Sequence, residues 1–399
     1  MQKLIYTLAI YFILFIQTVC ASYSWVQLTT LSSFERDRAT GFSIGDKLYF
    51  GTGYINSIAS SDFWEYNTLT GTWTQIADIV GNRHGAVGFS NDGKGYICMG
   101  HQPIGYVYFN DLQEYNPTSN SWTFKASFPQ TGRYGGNSFV IDGTAYIVGG
   151  NLGSASGPYS NSMVAYDFAT DSWSFKSNYP GTLSYYRTSF TLNGFGYVGS
   201  GVKLGPGGYT YYDTFYSYNP ISDAWSPIPS YPGGSYAGMT SFVFQQQAFV
   251  GLGTDNSFNP NNAFFIYDPT LGIWNPGPTF TNGPLRSHGV GLSTSSRAFF
   301  GTGYLSGNSL DDLWELTETL SLHQVNGEAV SILYQNGSFI ISGKRSNSGT
   351  IEVFNTVGQR IALIESTGDN TVCNLRKGLY IIIYSESNKI LFSEKLFIP

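Results

Sequence analysis

Tyr115-Asn116-Pro117-Thr118-Ser119-Asn120-Ser121-Trp122 decides the fold, because the same plan returns four more times. The other copies run from Tyr66 to Trp73, Tyr166 to Trp173, Tyr218 to Trp225 and Tyr267 to Trp274. Each begins Tyr-Asn or Tyr-Asp and reaches its Trp seven residues after the Tyr. Asn or Asp beside Pro, Gly or a second Asn is the chemistry of a tight turn between two strands. The five Trp residues are spaced by 49, 51, 52 and 49 residues. Short aromatic strands punctuated by glycine at a period near fifty predict the blades of a β-propeller.

Working outward from that turn, each period from residue 25 to about 316 follows one plan. A first strand ends in a dipeptide such as Asp92-Gly93, Asp142-Gly143 or Asn193-Gly194, which supplies the positive φ of a two-residue hairpin. A second strand follows, and it closes on Gly53, Gly100, Gly150, Gly201, Gly253 or Gly303 at one register. A loop of variable length leads to the third strand, which holds the Tyr. The fourth begins near the Trp. Six closing glycines predict six blades, yet only five Tyr-to-Trp motifs are complete. Asp312-Leu313-Trp314-Glu315-Leu316 opens a sixth that no Trp finishes, while Trp25-Val26-Gln27-Leu28 stands 48 residues before Trp73. The N-terminal strand therefore completes the last blade, which joins the chain ends and removes two open sheet edges.

These residues resemble the kelch family of β-propellers over about residues 25–316. The likeness rests on Gly149-Gly150, the spaced Tyr and Trp, and the turn dipeptides. Most blades carry Gly-x-Gly, as in Gly51-Thr52-Gly53, in place of the double glycine. Composition agrees with an all-β chain: 17% of residues are aromatic and 48 are glycine. The formal charge of −6 and the low charged fraction, 12%, argue against a nucleic-acid surface.

Residues 1–21 read as a secretory signal. Lys3 gives the positive start, Leu4 to Ile16 the apolar run, and Val19-Cys20-Ala21 a cleavage site. The run falls short of the roughly 20 residues of a membrane-spanning helix. Cleavage leaves Cys98 and Cys373, far apart in sequence, so no disulfide framework is expected. After Leu316 the periodic Trp stops. Seven short strands in residues 325–399 predict a small β-sandwich. The organisation expected is thus a signal over 1–21, a propeller over 22–320 and a C-terminal sandwich over 325–399. Three blocks of the last segment, Ile351 to Arg360, Asn374 to Ile381 and Glu394 to Ile398, are similar in order and position to the sorting domain of the bacterial type IX secretion system. The resemblance implies a chain that is secreted, or displayed on the outer-membrane surface of a diderm bacterium, with that machinery as a partner and no membrane span once the signal is removed.

No catalytic or metal-binding motif stands out. The four histidines, His84, His101, His288 and His323, are dispersed, and no metal or cofactor is expected. Some kelch-like propellers are copper oxidases with a Tyr and Cys beside the metal. Here Cys98 shares the register of Gly51, Gly199, Gly251 and Gly301, which marks a small core residue. Arg36, Arg83, Arg133 and Arg286 each stand 13 residues before the second-strand aromatic, a repetition that favours a structural contact over a ring facing an anion. Arg38 and Arg187 break that register and fit a pocket better, and His84 and His288, which follow Arg83 and Arg286 at the entrances of blades two and six, are further candidates. Tyr106, Tyr108, Tyr159, Tyr209 and Tyr211 sit in the variable loops, where a rigid ring carries recognition. Exposed Tyr beside Asn suits a carbohydrate or protein ligand. The function expected is a binding module, with a sugar-modifying propeller enzyme such as a sialic-acid mutarotase as the alternative.

Overall fold

The computed structural model describes residues 20–28, 30, 35–321, 330–335, 338–343, 349–355, 358–366, 370–374, 378–386 and 389–398. Residues 1–19 of the expected signal, and His323, lie outside them. The chain divides into two compact units, one of which is residues 23–317. Among the described residues no helix forms, and none is long and apolar enough to cross a membrane.

The unit of residues 23–317 is a six-bladed β-propeller. Blade 1 is the antiparallel sheet Thr40–Ile44, Lys47–Gly51, Phe63–Asn67 and Thr72–Ile76, in that order. Blades 2 to 5 repeat it, with first strands at Val87–Asn91, Asn137–Ile141, Thr188–Leu192 and Thr240–Phe244. Blade 6 begins at Val290–Ser293. The six first strands pack each against the next in a closed circle, so they line the axis. Blade 6 takes its third strand from Leu313–Ser321 and its fourth from the other end of the chain, Cys20–Gln27. The Leu28 amide donates to the Leu313 carbonyl at 2.8 Å, and the hydroxyls of Ser24 and Thr317 meet at 2.7 Å. The expected closure is therefore present.

The organising motif has a physical reason in the structure. In blade 3 the Tyr166 hydroxyl donates to the Asp171 carboxylate at 2.7 Å. Asp171 also accepts the Ala126 amide of the preceding blade at 2.9 Å, and the Trp173 indole donates to the Ala126 carbonyl at 2.8 Å. Blade 2 repeats the clasp with Tyr115, Asn120 and Trp122 on Ala77. Blade 4 repeats it with Tyr218, Asp223 and Trp225 on Ser177. The Tyr-to-Trp spacing thus puts a ring into the blade core and ties each blade to its neighbour. Tyr166→Phe should cost about 1 kcal/mol in chemical unfolding, the usual contribution of one hydrogen bond. An unchanged unfolding midpoint would show that the clasp contributes nothing.

The repeated arginines are structural. Arg36, Arg83 and Arg286 are wholly buried. Arg36 engages both oxygens of Asp62 and the Thr52 carbonyl. Arg83 does the same with Asp111 and Met99, and Arg286 with Asp312 and Thr302. In blade 3, Arg133 makes the matching bonds to Ser162 and Gly149. Each guanidinium ties the link before the first strand to the second strand and to the start of the third.

In the C-terminal unit the last four residues of Leu313–Ser321 pair with Val330–Gln335, which pairs with Ser338–Gly343, then Asn370–Asn374. A second sheet runs Arg360–Ser366, Gly349–Asn355, Gly378–Glu386, Lys389–Ile398. These are the seven strands the sequence predicts.

Candidate functional site

The site is built on a ring of equivalent positions at the entrance to the axis. Two residues beyond the arginine register stand Arg38, Gly85, Gly135, Tyr186, Gly238 and His288. From Gly85 onward each amide donates to the carbonyl of the preceding member, at 2.7–3.1 Å. All six have φ between 49° and 63°. Glycine adopts this left-handed backbone without a penalty, and three blades use it. Three blades instead hold Arg, Tyr and His there, a choice that strains the backbone. A Cβ on Gly135 would come within 3.2 Å of the Tyr186 ring, and one on Gly238 within 3.0 Å of the His288 ring. The glycines make room for the side chains that close the channel.

Above this ring lies a cavity of about 390 Å³. Arg38, Tyr186 and His288 contribute to it, with Tyr185 from a blade link and Tyr209, Tyr211, Phe258 and Tyr304 from the loops. The loops are short two-stranded ribbons, such as Val202–Gly205 with Gly208–Tyr211. Each blade link is bridged to the residue after its closing glycine: Asp37 to Tyr54, His84 to His101, Tyr185 to Val202, Ser287 to Tyr304. That pairing puts links and loops on one face. Tyr209 and Phe258 meet edge to face at 5.9 Å and are both exposed, as a shelf at the rim.

The Arg38 guanidinium lies 5.8–5.9 Å from the ring centres of Tyr54, Tyr186 and Tyr304 and donates to Asp37. Burial raises the Asp37 carboxyl above its ordinary range, against the pull of Arg38. Tyr186 is driven well above a normal phenol by burial, so it stays protonated, and its hydroxyl is buried without a partner. His288 meets Tyr186 edge to face at 4.5 Å, and its Nδ1 lies 2.9 Å from the Ser287 hydroxyl. Burial, then Arg38 and His84, hold His288 well below an ordinary imidazole, so it is neutral at pH 7. Among the described residues no group of three His, Cys, Asp or Glu could hold a metal.

Of the nine residues singled out in the sequence, four line this cavity: Arg38, His288, Tyr209 and Tyr211. The other five are elsewhere. Arg187 does not reach the cavity. Its side chain packs on Tyr179 and bonds Asn161 and Thr182 between blades. His84 is buried under Tyr54, with its Nε2 3.1 Å from His101 Nδ1. Tyr108 stacks on His101 at 4.3 Å. Tyr159 is buried against Tyr185 and donates to the Ala155 carbonyl. Tyr106 is 80% exposed at the tip of the blade 2 ribbon. Tyr186, Tyr185, Tyr304 and Phe258 were not anticipated. The signal for Tyr186 was available: it occupies the register of Arg38 and of three glycines.

Residues 132–178 match the Kelch motif. That is the blade with the Gly149-Gly150 pair. The chain is 23% identical to mouse Kelch-like protein 35 over 249 residues, which are 62% of this chain and 40% of that protein. It is 32% identical to the N-acetylneuraminate epimerase of Shigella flexneri over 117 residues, 28% of this chain and 31% of that enzyme. The chain spans less than half the length of the curated relatives it matches. The solved structure of YjhT aligns with a TM-score of 0.61 at 18% identity, covering 77% of this chain and 99% of that one, a likeness of fold.

Proposed function

We propose that the propeller is a carbohydrate-binding module whose ligand enters the axial cavity. One observation carries the reading: three of six equivalent blades put Arg38, Tyr186 and His288 at a left-handed position that the others fill with glycine, and all three side chains face one cavity. Strained backbone of this kind concentrates at functional sites. Sugars suit the walls, because tyrosine and phenylalanine rings pack against pyranose C–H faces while hydroxyls bond the rim. A glycan array with the purified chain tests the reading, followed by calorimetry on Tyr209→Ala and Phe258→Ala. Each variant should weaken binding by about 1 kcal/mol and leave stability within about 0.5 kcal/mol. Tyr106→Ala, at an exposed tip away from the cavity, should be silent in both measurements. Full affinity in the Tyr209 and Phe258 variants would move the ligand off this face.

The second reading is a sugar-modifying enzyme. The similarity to N-acetylneuraminate epimerase favours it, and so does a neutral imidazole beside the Ser287 hydroxyl in the cavity. A polarimetric assay of anomer exchange distinguishes a catalyst from a binder.

We also propose export through the N-terminal signal and a type IX machinery that reads residues 325–399. A chain ending near residue 322 should then fold its propeller and stay in the periplasm. Normal surface display of that truncated chain would refute the sorting role.

A further inference from the structure

We infer that the ligand of the axial cavity bears a single carboxylate, docked on Arg38. The inference rests on the cavity being the ligand site and adds the charge of what it takes. Arg38 is the one residue with a fixed charge among the described residues lining the cavity, and no carboxylate lines it.

Two other buried arginines, Arg83 and Arg297, spend their donors on protein. Arg83 bonds two oxygens of Asp111 and three backbone carbonyls. Arg297 takes both oxygens of Glu315 and the Thr68 carbonyl. Arg38 meets one acceptor, Asp37, through Nη1, and keeps 28% of its side chain exposed. Asp37 is 4% exposed and lies behind it. Arg38 lines the cavity, and a planar, partly exposed guanidinium is the group that receives a carboxylate.

Charge count limits the anion. A buried charge is costly unless paired. One guanidinium, itself partly balanced by Asp37, offsets one negative charge and leaves the second charge of a phosphomonoester uncompensated. Protonated Tyr186 adds a hydroxyl without a protein partner beside the same cavity. The rings of Tyr54, Tyr186 and Tyr304 near the guanidinium lower the local polarity and strengthen an ion pair formed there.

The test is calorimetry on the full chain with three probes: D-glucuronate, D-glucose and benzoate. The two sugars differ only in a carboxylate. Glucuronate should bind at least about tenfold more tightly than glucose, and Arg38→Gln should abolish the difference. The comparison of the two sugars on the unaltered chain stands even if that variant folds poorly. Glucose binding as well as glucuronate, with Tyr209→Ala weakening both, would overturn the charge inference and leave the sugar reading intact. Arg38-dependent benzoate binding with neither sugar bound would keep the anion site and remove the sugar reading. Neither carboxylate bound at millimolar concentration would overturn the inference.

Discussion

Trp25→Ala is expected to destabilise the propeller by about 3–5 kcal/mol, the range for deleting a buried large aromatic. Trp25 is 3% exposed. Its ring centre lies 4.9 Å from Phe300, 5.0 Å from Phe264, 5.9 Å from Phe280 and 6.1 Å from Phe242. Those partners come from blades 5 and 6 and the segment between them, so one side chain plugs the seam where the chain ends meet. Its backbone carbonyl accepts from Asn282 at 3.1 Å, which adds a second tie across the seam. A loss there also frees the edge of Leu313–Ser321, whose pairing the N-terminal strand completes. Urea unfolding followed by circular dichroism measures the effect. An unfolding midpoint equal to that of the parent chain would mean that the ring is held without this strand.

The fold was legible because a propeller writes its plan six times. Closing glycines, turn dipeptides and the Tyr-to-Trp interval each reappear at one register, and a missing Trp at one end could be matched to a spare one at the other. Repetition also sorted the arginines: Arg36, Arg83, Arg133 and Arg286 recur because four blades make the same contact. The site was harder for the opposite reason. The candidate site lies where the repeat is broken, and a break has no template in a single sequence. Arg38 was visible as an arginine out of register. Tyr186 was legible only by aligning it with Arg38, Gly85, Gly135 and Gly238, a register that its φ of 49° makes plain. Arg187 was misleading because it breaks the arginine register as Arg38 does. Its place on the first-strand link turns it toward Asn161 and Thr182, away from the axis. Tyr159 looked like a free loop tyrosine, yet the blade 3 ribbon Thr144–Ser154 and Gly157–Asp167 folds it back against Tyr185.

Two imidazoles, His84 and His288, should make the protein acid-labile well above the pH at which carboxylates titrate. His84 is 4% exposed, and its basicity is lowered to about 2 by burial, then by Arg38 and His101. His288 is lowered well below its ordinary value by burial, then by Arg38 and His84. Both imidazoles are therefore neutral in the folded chain. In the unfolded chain they titrate near 6.5. Above that pH neither state binds the proton, and the stability they allow is fully present. As pH falls below 6.5 the unfolded chain gains protons that the folded one refuses, so stability is lost. His84 removes about 1.4 kcal/mol per pH unit, or about 2 kcal/mol between pH 6.5 and 5, and His288 acts in the same direction. Asp37 opposes the trend, since its raised carboxyl takes up a proton in the folded state before the unfolded one does and so adds stability as acid increases. Asp62, lowered despite its burial by its bonds to Arg36, begins to cost stability only below its ordinary 3.8. The loss of stability as pH falls from 6.5 to 5 thus comes from the histidines. Guanidinium unfolding at pH 7.5, 6 and 5 measures the slope, with a His84→Gln, His288→Gln double variant as the control. A steep loss in the parent chain and a shallow one in the variant are expected. Equal stability of the parent chain at pH 7.5 and 5 would mean that the imidazoles accept protons where they sit, through water reaching them.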